Sequence, residues 1–314
     1  MAIPASLRAN LRMPAIAAPM FLASGTDLVV EVCRSGMIGT FPALNQRSTE
    51  GFAAWLDEIG ERLEGADAAA FGVNLIVHRS NPRLAADLEV VVRHRVPLVI
   101  TSLGANTEIV AAVHEYGGVV FHDVIGRRHA EKAAEAGADG IIAVCAGAGG
   151  HAGTLSPFAL IPEIRSFFDG TLLLAGAIST GAQVAAARVL GADMAYLGTR
   201  FIATREAMVA AAQKEMILAA VAADIVYTPA VSGVNASFLR QSLAAAGIEE
   251  GAGPRPLDLA AEAKAWRDVW SAGQGVGSIA DLPRAAELCA RLGEEYRAAM
   301  RGAAADGFAA GAGD

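Results

Sequence analysis

Eight short apolar runs recur through the first two thirds of the chain, each followed by a stretch with helical spacing, at intervals of ~25 residues. The runs are Ala15-Ile16-Ala17-Ala18-Pro19-Met20, Met37-Ile38-Gly39-Thr40-Phe41, Phe71-Gly72-Val73-Asn74-Leu75, Leu98-Val99-Ile100-Thr101, Val119-Val120-Phe121-His122, then residues 141–144 and 171–174, and finally Met194-Ala195-Tyr196-Leu197. Helices are expected over 27–34, 49–63, 106–116, 128–136, 157–168 and 181–190, with another following Pro82, where a missing N–H costs little. Continuous apolar runs read as strands buried on both faces, the mark of a parallel sheet covered by helices. The pattern predicts a (β/α)₈ (TIM) barrel of the α/β class. An open doubly wound sheet is the alternative, but it carries a nucleotide loop after its first strand, and no GxGxxG follows Met20.

Past residue 204 the alternation lapses. A long helix is expected over 206–224, irregular chain over 228–236 and 254–256, a second glycine-rich loop over 270–277 and a closing helix over 281–300. The reading is a barrel built from 1–204 and 281–314, with a mainly helical insertion, 205–280, packed over the barrel mouth. The Ala/Gly-rich tail 302–314 is expected to fray.

Composition narrows the function classes. The chain is 54% hydrophobic yet 6% aromatic, so Ala, Gly, Val, Leu and Ile fill the core and suit close-packed helices. An apolar composition also leaves room for a homodimer. A net charge of −8 with no basic run repels a nucleic-acid backbone. Cys33, Cys145 and Cys289 are widely spaced and form no CxxC pair, against both a zinc site and a disulfide scaffold. The first twelve residues lack a signal-type apolar core, and the apolar window 207–223 is broken by Gln213, Lys214 and Glu215. The expectation is a cytoplasmic protein that neither enters a membrane nor leaves the cell.

Chemistry is expected in the loop after the sixth strand, Cys145-Ala146-Gly147-Ala148-Gly149-Gly150-His151-Ala152-Gly153. Glycine and alanine leave almost no side-chain bulk there, so a flat ligand or a phosphate can approach the backbone with one imidazole projecting over it. The alternative is a tight turn with a surface histidine. Loops at the C-terminal ends of barrel strands favour the first reading and make His151 the catalytic candidate. The loops after the seventh and eighth strands, Ala175-Gly176-Ala177-Ile178-Ser179-Thr180-Gly181 and Gly198-Thr199-Arg200-Phe201, occupy the phosphate slots of such barrels. Pro19, Met20 and Asn74 end strands one and three, where they can line a planar ligand; Asn74 both donates and accepts. For Met20 alone a core role is the simpler reading. The remaining histidines show no metal spacing, His122 reads as a satisfied core histidine, and no GxSxG suggests a serine nucleophile.

Taken in order, Ala18-Pro19-Met20, Phe71-Gly72-Val73-Asn74, Gly149-Gly150-His151-Ala152-Gly153, Ala175-Gly176 and Gly198-Thr199-Arg200-Phe201 resemble the nitronate monooxygenases, formerly 2-nitropropane dioxygenases. The resemblance runs from Met13 to about Gly277. It implies an FMN-binding TIM barrel without metal. FMN would meet Met20 at its ring, Asn74 at its polar edge, Gly149 and Gly150 at its face, and Gly176, Gly198 and Thr199 at its phosphate, with Pro19, Asp123, Ala175 and Leu197 also among the residues that bind it. Gln274 would close over it. The implied reaction is oxidation of alkyl nitronates or nitroalkanes by dioxygen to a carbonyl compound and nitrite. His151 is the implied base, since an imidazole titrates near neutrality.

Four positions depart from that pattern. Ala177 stands where a glycine is common, Thr180 where Asp is common, Asp123 where a Lys or Gln follows the fifth strand, and Val144 where a polar side chain precedes the histidine by seven residues. A carboxylate at Asp123 beside flavin would disfavour the anionic reduced form. Related barrels include NAD(P)H-dependent quinone and enoyl-thioester reductases, so an FMN reductase is the second reading, and a flavin or phosphate-ligand binder without catalysis the third. Trp266, Trp270, Phe238 and Tyr227 are candidates to line an apolar substrate pocket, with core packing the alternative.

Overall fold

The computed structural model describes residues 3–231, 233–249, 251, 253 and 268–306. Pro254, Arg255, Pro256, Trp266 and the end of the tail, 307–314, lie outside the described residues.

Eight parallel strands close on themselves. They are β1 (Ala15–Ala17), β2 (Ile38–Pro42), β3 (Phe71–Ile76), β4 (Leu98–Ser102), β5 (Val119–Val124), β6 (Gly140–Val144), β8 (Thr171–Ala175) and β9 (Met194–Leu197). Closure is made by β9 against β1, with Ile16 opposite Tyr196. The short β7 (Gly150–His151) stands outside the barrel. Between the strands run α2 (Thr26–Arg34), α3 (Thr49–Leu63), α4 (Leu84–Arg93), α5 (Thr107–Glu115), α6 (Arg127–Glu135), α7 (Pro157–Arg165) and α8 (Gly181–Leu190). The TIM barrel expected from the alternating runs is the observed architecture.

Inside the barrel, Ile16, Ile38, Ile100, Phe121, Ile142 and Met194 form one apolar column. Ile3 and Leu7 join it from the amino-terminal segment, Leu7 on α1 (Ala5–Arg8). This core leaves the opposite end, where the strands finish, for polar side chains. Strand alternation then decides which side chains reach that end. On β5, Phe121 points inward, so Asp123 does too, while Val120 and Val124 belong to the outer layers packed by helices.

The insertion departs from the sequence expectation. The helix expected over 206–224 is confined to α10 (Ala211–Ala219), preceded by α9 (Thr199–Ile202). Residues ahead of α10 are pinned to other elements: Arg205 N–H donates to the Pro283 carbonyl, Met208 N–H to that of Ala23, and Glu206 accepts from Ala285 N–H. Tertiary hydrogen bonds here override helix propensity. Next come β10 (Ile225–Thr228) and β11 (Ala236–Leu239), an antiparallel pair extended on the far side of β11 by β7. Of the irregular chain expected over 228–236, Thr228 ends β10 and Ala236 begins β11. After α11 (Arg240–Ala245), the chain closes with the helix Ala285–Ala304 rather than 281–300. Pro283 disfavours helix before it, Arg284 N–H donates to Glu287 to cap the start, and the helix continues past Gly302. Helix α7 likewise stops at Arg165, short of 168.

Candidate active site

A cavity of about 1570 Å³ opens at the ends of the barrel strands. That exceeds the space one drug-sized ligand fills and leaves room for two molecules side by side. Pro19, Met20, Asn74, Asp123, Gly149, Gly150 and His151 line it, as do Ala175, Gly176, Gly198 and Thr199. Two sequence candidates do not. Leu197 is fully buried in the outer layer packed by helices, and its carbonyl accepts from Ala18 N–H at 2.8 Å. Gln274 is exposed beside it; its backbone N–H donates to the Gly147 carbonyl at 2.9 Å, and its side chain lies next to Gly147.

Three glycine-bearing loops meet around this cavity. The Gly147 carbonyl accepts from both Ala177 and Gln274, tying the loop after β6 to the loop after β8 and to residues 273–275. Gly149 and Gly273 lie backbone to backbone; a Cβ on Gly149 would stand 2.8 Å from Gly273 N. No other residue type fits there without moving main chain. Gly273 N–H donates to Thr199 Oγ1 at 2.8 Å, and Ser179 Oγ donates to the Gly275 carbonyl at 2.9 Å. The phosphate-slot loops are thus fastened to the second glycine-rich loop. Backbone strain collects here as well: Leu22, Leu103 and Ala177, all lining the cavity, have φ of 60°, 64° and 53°. Thr180, by contrast, caps α8, its Oγ1 accepting from Gln183 N–H while Gln183 accepts from Thr180 N–H.

His151 sits on β7, with its backbone opposite Ala236 of β11. Gly150 N–H donates to Ser271 Oγ at 2.6 Å, and Tyr227 OH donates to the Ala152 carbonyl at 2.8 Å. The histidine is therefore held between the barrel and the insertion. Of the aromatic candidates, Tyr227 lines the cavity, Phe238 is fully buried and Trp270 packs at the edge of the insertion's core.

The polar side of the cavity is a directed chain. Asn74 Nδ2 donates to the Ile100 carbonyl at 3.2 Å and to Ser102 Oγ at 2.7 Å. Ser102 Oγ donates in turn to Asp123 Oδ2 at 2.5 Å. Burial pushes the Asp123 carboxyl up to about 6, against the pull of the Ser102 hydrogen bond and of His151. Tyr196 also lines the cavity, its phenol pushed well up by burial and by Asp123. Neither Ser102 nor Tyr196 was singled out from the sequence. Both follow by alternation once the inward face is known: Ser102 lies two residues beyond inward-facing Ile100, and Tyr196 two beyond inward-facing Met194. His122 faces the other way and is buried, its Nδ1 2.7 Å from Thr101 Oγ1; burial and His129 hold it down to about 4.

The sequence profile of the nitronate monooxygenases matches residues 44–295. The chain belongs to that family. Among curated nitronate monooxygenases, that of Paraburkholderia phytofirmans is 31% identical over 216 residues, covering 61% of this chain and 58% of the relative. A (3aS,4S,5R,7aS)-5-hydroxy-7a-methyl-1-oxo-octahydro-1H-indene-4-carboxyl-CoA dehydrogenase of Rhodococcus jostii is 27% identical over 234 residues, covering 74% of this chain and 64% of the relative. The chain thus spans just under two thirds of that dehydrogenase's length. Among solved structures, a nitroalkane oxidase from Streptomyces ansochromogenes shares the fold with a TM-score of 0.82 and 24% identity, over 95% of this chain and 100% of that one. A FabK variant from Thermotoga maritima gives 0.78 and 25%, over 94% and 96%. Within the family match fall the glycine loop, His151 and both phosphate-slot loops. Among the described residues no three His, Cys, Asp or Glu side chains are grouped to hold a metal ion, and no helix is long and apolar enough to cross a membrane.

Proposed function

We propose that this member of the nitronate monooxygenase family oxidises alkyl nitronates and nitroalkanes with dioxygen, using FMN, with His151 as the base. The observation that carries the reading is the position of His151, on the wall of a cavity whose other loops suit a phosphate-bearing planar cofactor.

The residues fit FMN. Gly176 has φ of 139° and lies against the Ala146 carbonyl, so main chain is bare where a phosphate would approach. Thr199 Oγ1 accepts from Gly273 and keeps its own proton for a phosphate oxygen. Pro19 and Met20 offer apolar surface to a ring. Asn74 spends both amide hydrogens within the protein, so its oxygen is what it offers a ligand N–H. Asp123 Oδ1 is a buried oxygen with no hydrogen-bond partner, as a site awaiting a polar ligand atom would have.

When bound, FMN supplies the electron transfer, with dioxygen as final acceptor. The chain's residues do the rest. His151 takes the α-proton of a nitroalkane, and a nitronate, already deprotonated, needs no such step. The hydrogen bonds of Gly150 and Tyr227 hold the loop that bears the imidazole, and the insertion sheet shelters it from bulk water. The test is nitrite release in air from an alkyl nitronate by FMN-loaded protein, with nitroethane as the companion substrate. Loss of nitroethane turnover in His151→Asn, with nitronate turnover less affected, is the expected pattern. A yellow protein that releases no nitrite from either sinks the reading.

The similarity to a CoA-thioester dehydrogenase favours a second reading, an FMN enzyme exchanging electrons with NAD(P)H and a thioester or quinone. Rapid anaerobic bleaching of the flavin by NADH or NADPH distinguishes it.

A further inference from the structure

We propose that Asp123 holds bound FMN as a neutral carboxylic acid, its Oδ1–H donating to an acceptor atom on the polar edge of the isoalloxazine.

The direction of the hydrogen bonds leads to this. Asn74 Nδ2 gives its hydrogens to Ile100 O and Ser102 Oγ, so Ser102, already accepting, sends its own proton to Asp123 Oδ2. Every donor in the chain is committed, and the chain ends at Oδ1, which is buried and has no protein partner. An ionised carboxylate there would have a single hydrogen bond and no lysine or arginine among the described residues to offset it. Burying a charge under such terms is costly, and a group so placed neutralises instead.

The groups that bear on Asp123 are few. Ser102 from β4 donates to it, His151 from β7 is the basic side chain that acts on it, and Tyr196 from β9 is a neutral phenol. Val144 on β6 contributes no charge. Without a ligand over it, burial already pushes the Asp123 carboxyl up to about 6. A ring laid over it removes the remaining water and supplies an acceptor, and both favour the protonated form. A Lys or Gln at this position would donate without a change of protonation, whereas this chain couples FMN binding to uptake of a proton.

The inference rests on the FMN reading but fails separately from it. FMN affinity of the flavin-free protein is measured from pH 5.5 to 9 by fluorescence, for the parent and Asp123→Asn, whose amide keeps an N–H donor. Every other group is common to both proteins, so the difference between the two profiles is the readout. The expected result is near-equal affinity at pH 5.5 and a parent affinity that falls, relative to the variant, by up to about tenfold per pH unit above 6. Calorimetry at pH 7.5 in buffers of different ionisation enthalpy should show the parent taking up about one proton more than the variant. Should Asp123→Asn not fold, Ser102→Ala replaces it: loss of that donor moves the onset of the parent's decline to higher pH. Superimposable profiles and equal proton uptake overturn the role of Asp123 alone. Absence of FMN binding at every pH overturns the FMN reading itself.

Discussion

Gly150 donates its backbone N–H to Ser271 Oγ at 2.6 Å, and the same hydroxyl donates to the Ser237 carbonyl at 2.8 Å. One side chain thus joins the loop bearing His151 to the insertion strand β11. Ser271→Ala removes both bonds, each contributing about 1 kcal/mol. The expected outcome is a fall of roughly tenfold in kcat for nitroethane with FMN content retained. Amide exchange at Gly150 and His151 should quicken in parallel; unchanged exchange would mean that other contacts hold the loop.

Gly149 and Gly273 touch through main chain, with Ala272 C also 2.9 Å from where a Gly149 Cβ would stand. Both neighbours are backbone, so the strain of Gly149→Ala cannot be relieved by a rotamer change. We expect a loss of about 1–3 kcal/mol on urea unfolding and protein that purifies with less flavin. A variant with parental stability and full flavin content would show that the two loops move apart freely.

The barrel was legible because parallel strands buried on both faces read as uninterrupted apolar runs, and because α3 and α8 start at hydroxyl caps, Ser48 and Thr180, visible as residues. The same property hid part of the site. When both faces of a strand are apolar, alternation does not show which side faces inward, so Ser102 and Tyr196 passed unnoticed. His151 and the phosphate-slot loops stood out because glycine and one imidazole at strand ends have few structural uses. The insertion was opaque for another reason: β10, β11 and β7 are brought together by pairings such as Ser237 with Gly150, far apart in the chain. Local pattern carries no trace of such a pairing. Gln274 is legible only through the glycines around it, and the structure joins it to the glycine loop through its N–H.

Ala177 has φ of 53°, the left-handed region that a Cβ disfavours by about 1 kcal/mol. Ala177→Gly should therefore raise stability by up to about 1 kcal/mol, read as a higher urea midpoint with the slope unchanged. A lower midpoint would mean that packing of the alanine methyl outweighs the backbone strain.

Arg200, 1% exposed, lies at the start of α9 beside the phosphate-slot residues Gly198 and Thr199. Its guanidinium pairs with Asp281 at 2.9 Å, while its Nε is buried without a partner. Asp281 also pairs with Arg291 at 2.6 Å, but Arg291 is largely exposed. Removing the shared carboxylate strands a buried charge; removing the exposed arginine does not. Asp281→Ala should cost about 3 kcal/mol and Arg291→Ala less than about 1 kcal/mol. Equal losses in unfolding experiments would show that the buried guanidinium is satisfied by the Asp281 carbonyl alone.

His122 and Asp123 are consecutive on β5 and point to opposite faces, and burial shifts them in opposite senses. His122 is held down to about 4 from 6.5, so the unfolded chain takes its proton first. Its contribution to stability is complete above pH 6.5 and is lost as pH falls towards 4, by roughly 3 kcal/mol. Asp123 is pushed up to about 6 from 3.8, so the folded chain takes its proton first. Its contribution is complete below pH 3.8 and is lost as pH rises through 6, again by roughly 3 kcal/mol. Over pH 4 to 6 the two slopes oppose and nearly cancel in the parent protein. Each single variant exposes the slope its partner had masked. Relative to the parent, flavin-free His122→Gln should gain stability on acidification from pH 6.5 to 4, and Asp123→Asn should lose it. Urea unfolding at half-unit pH steps measures both. Parallel curves for all three proteins would mean that water reaches these side chains and that neither titrates away from its ordinary range.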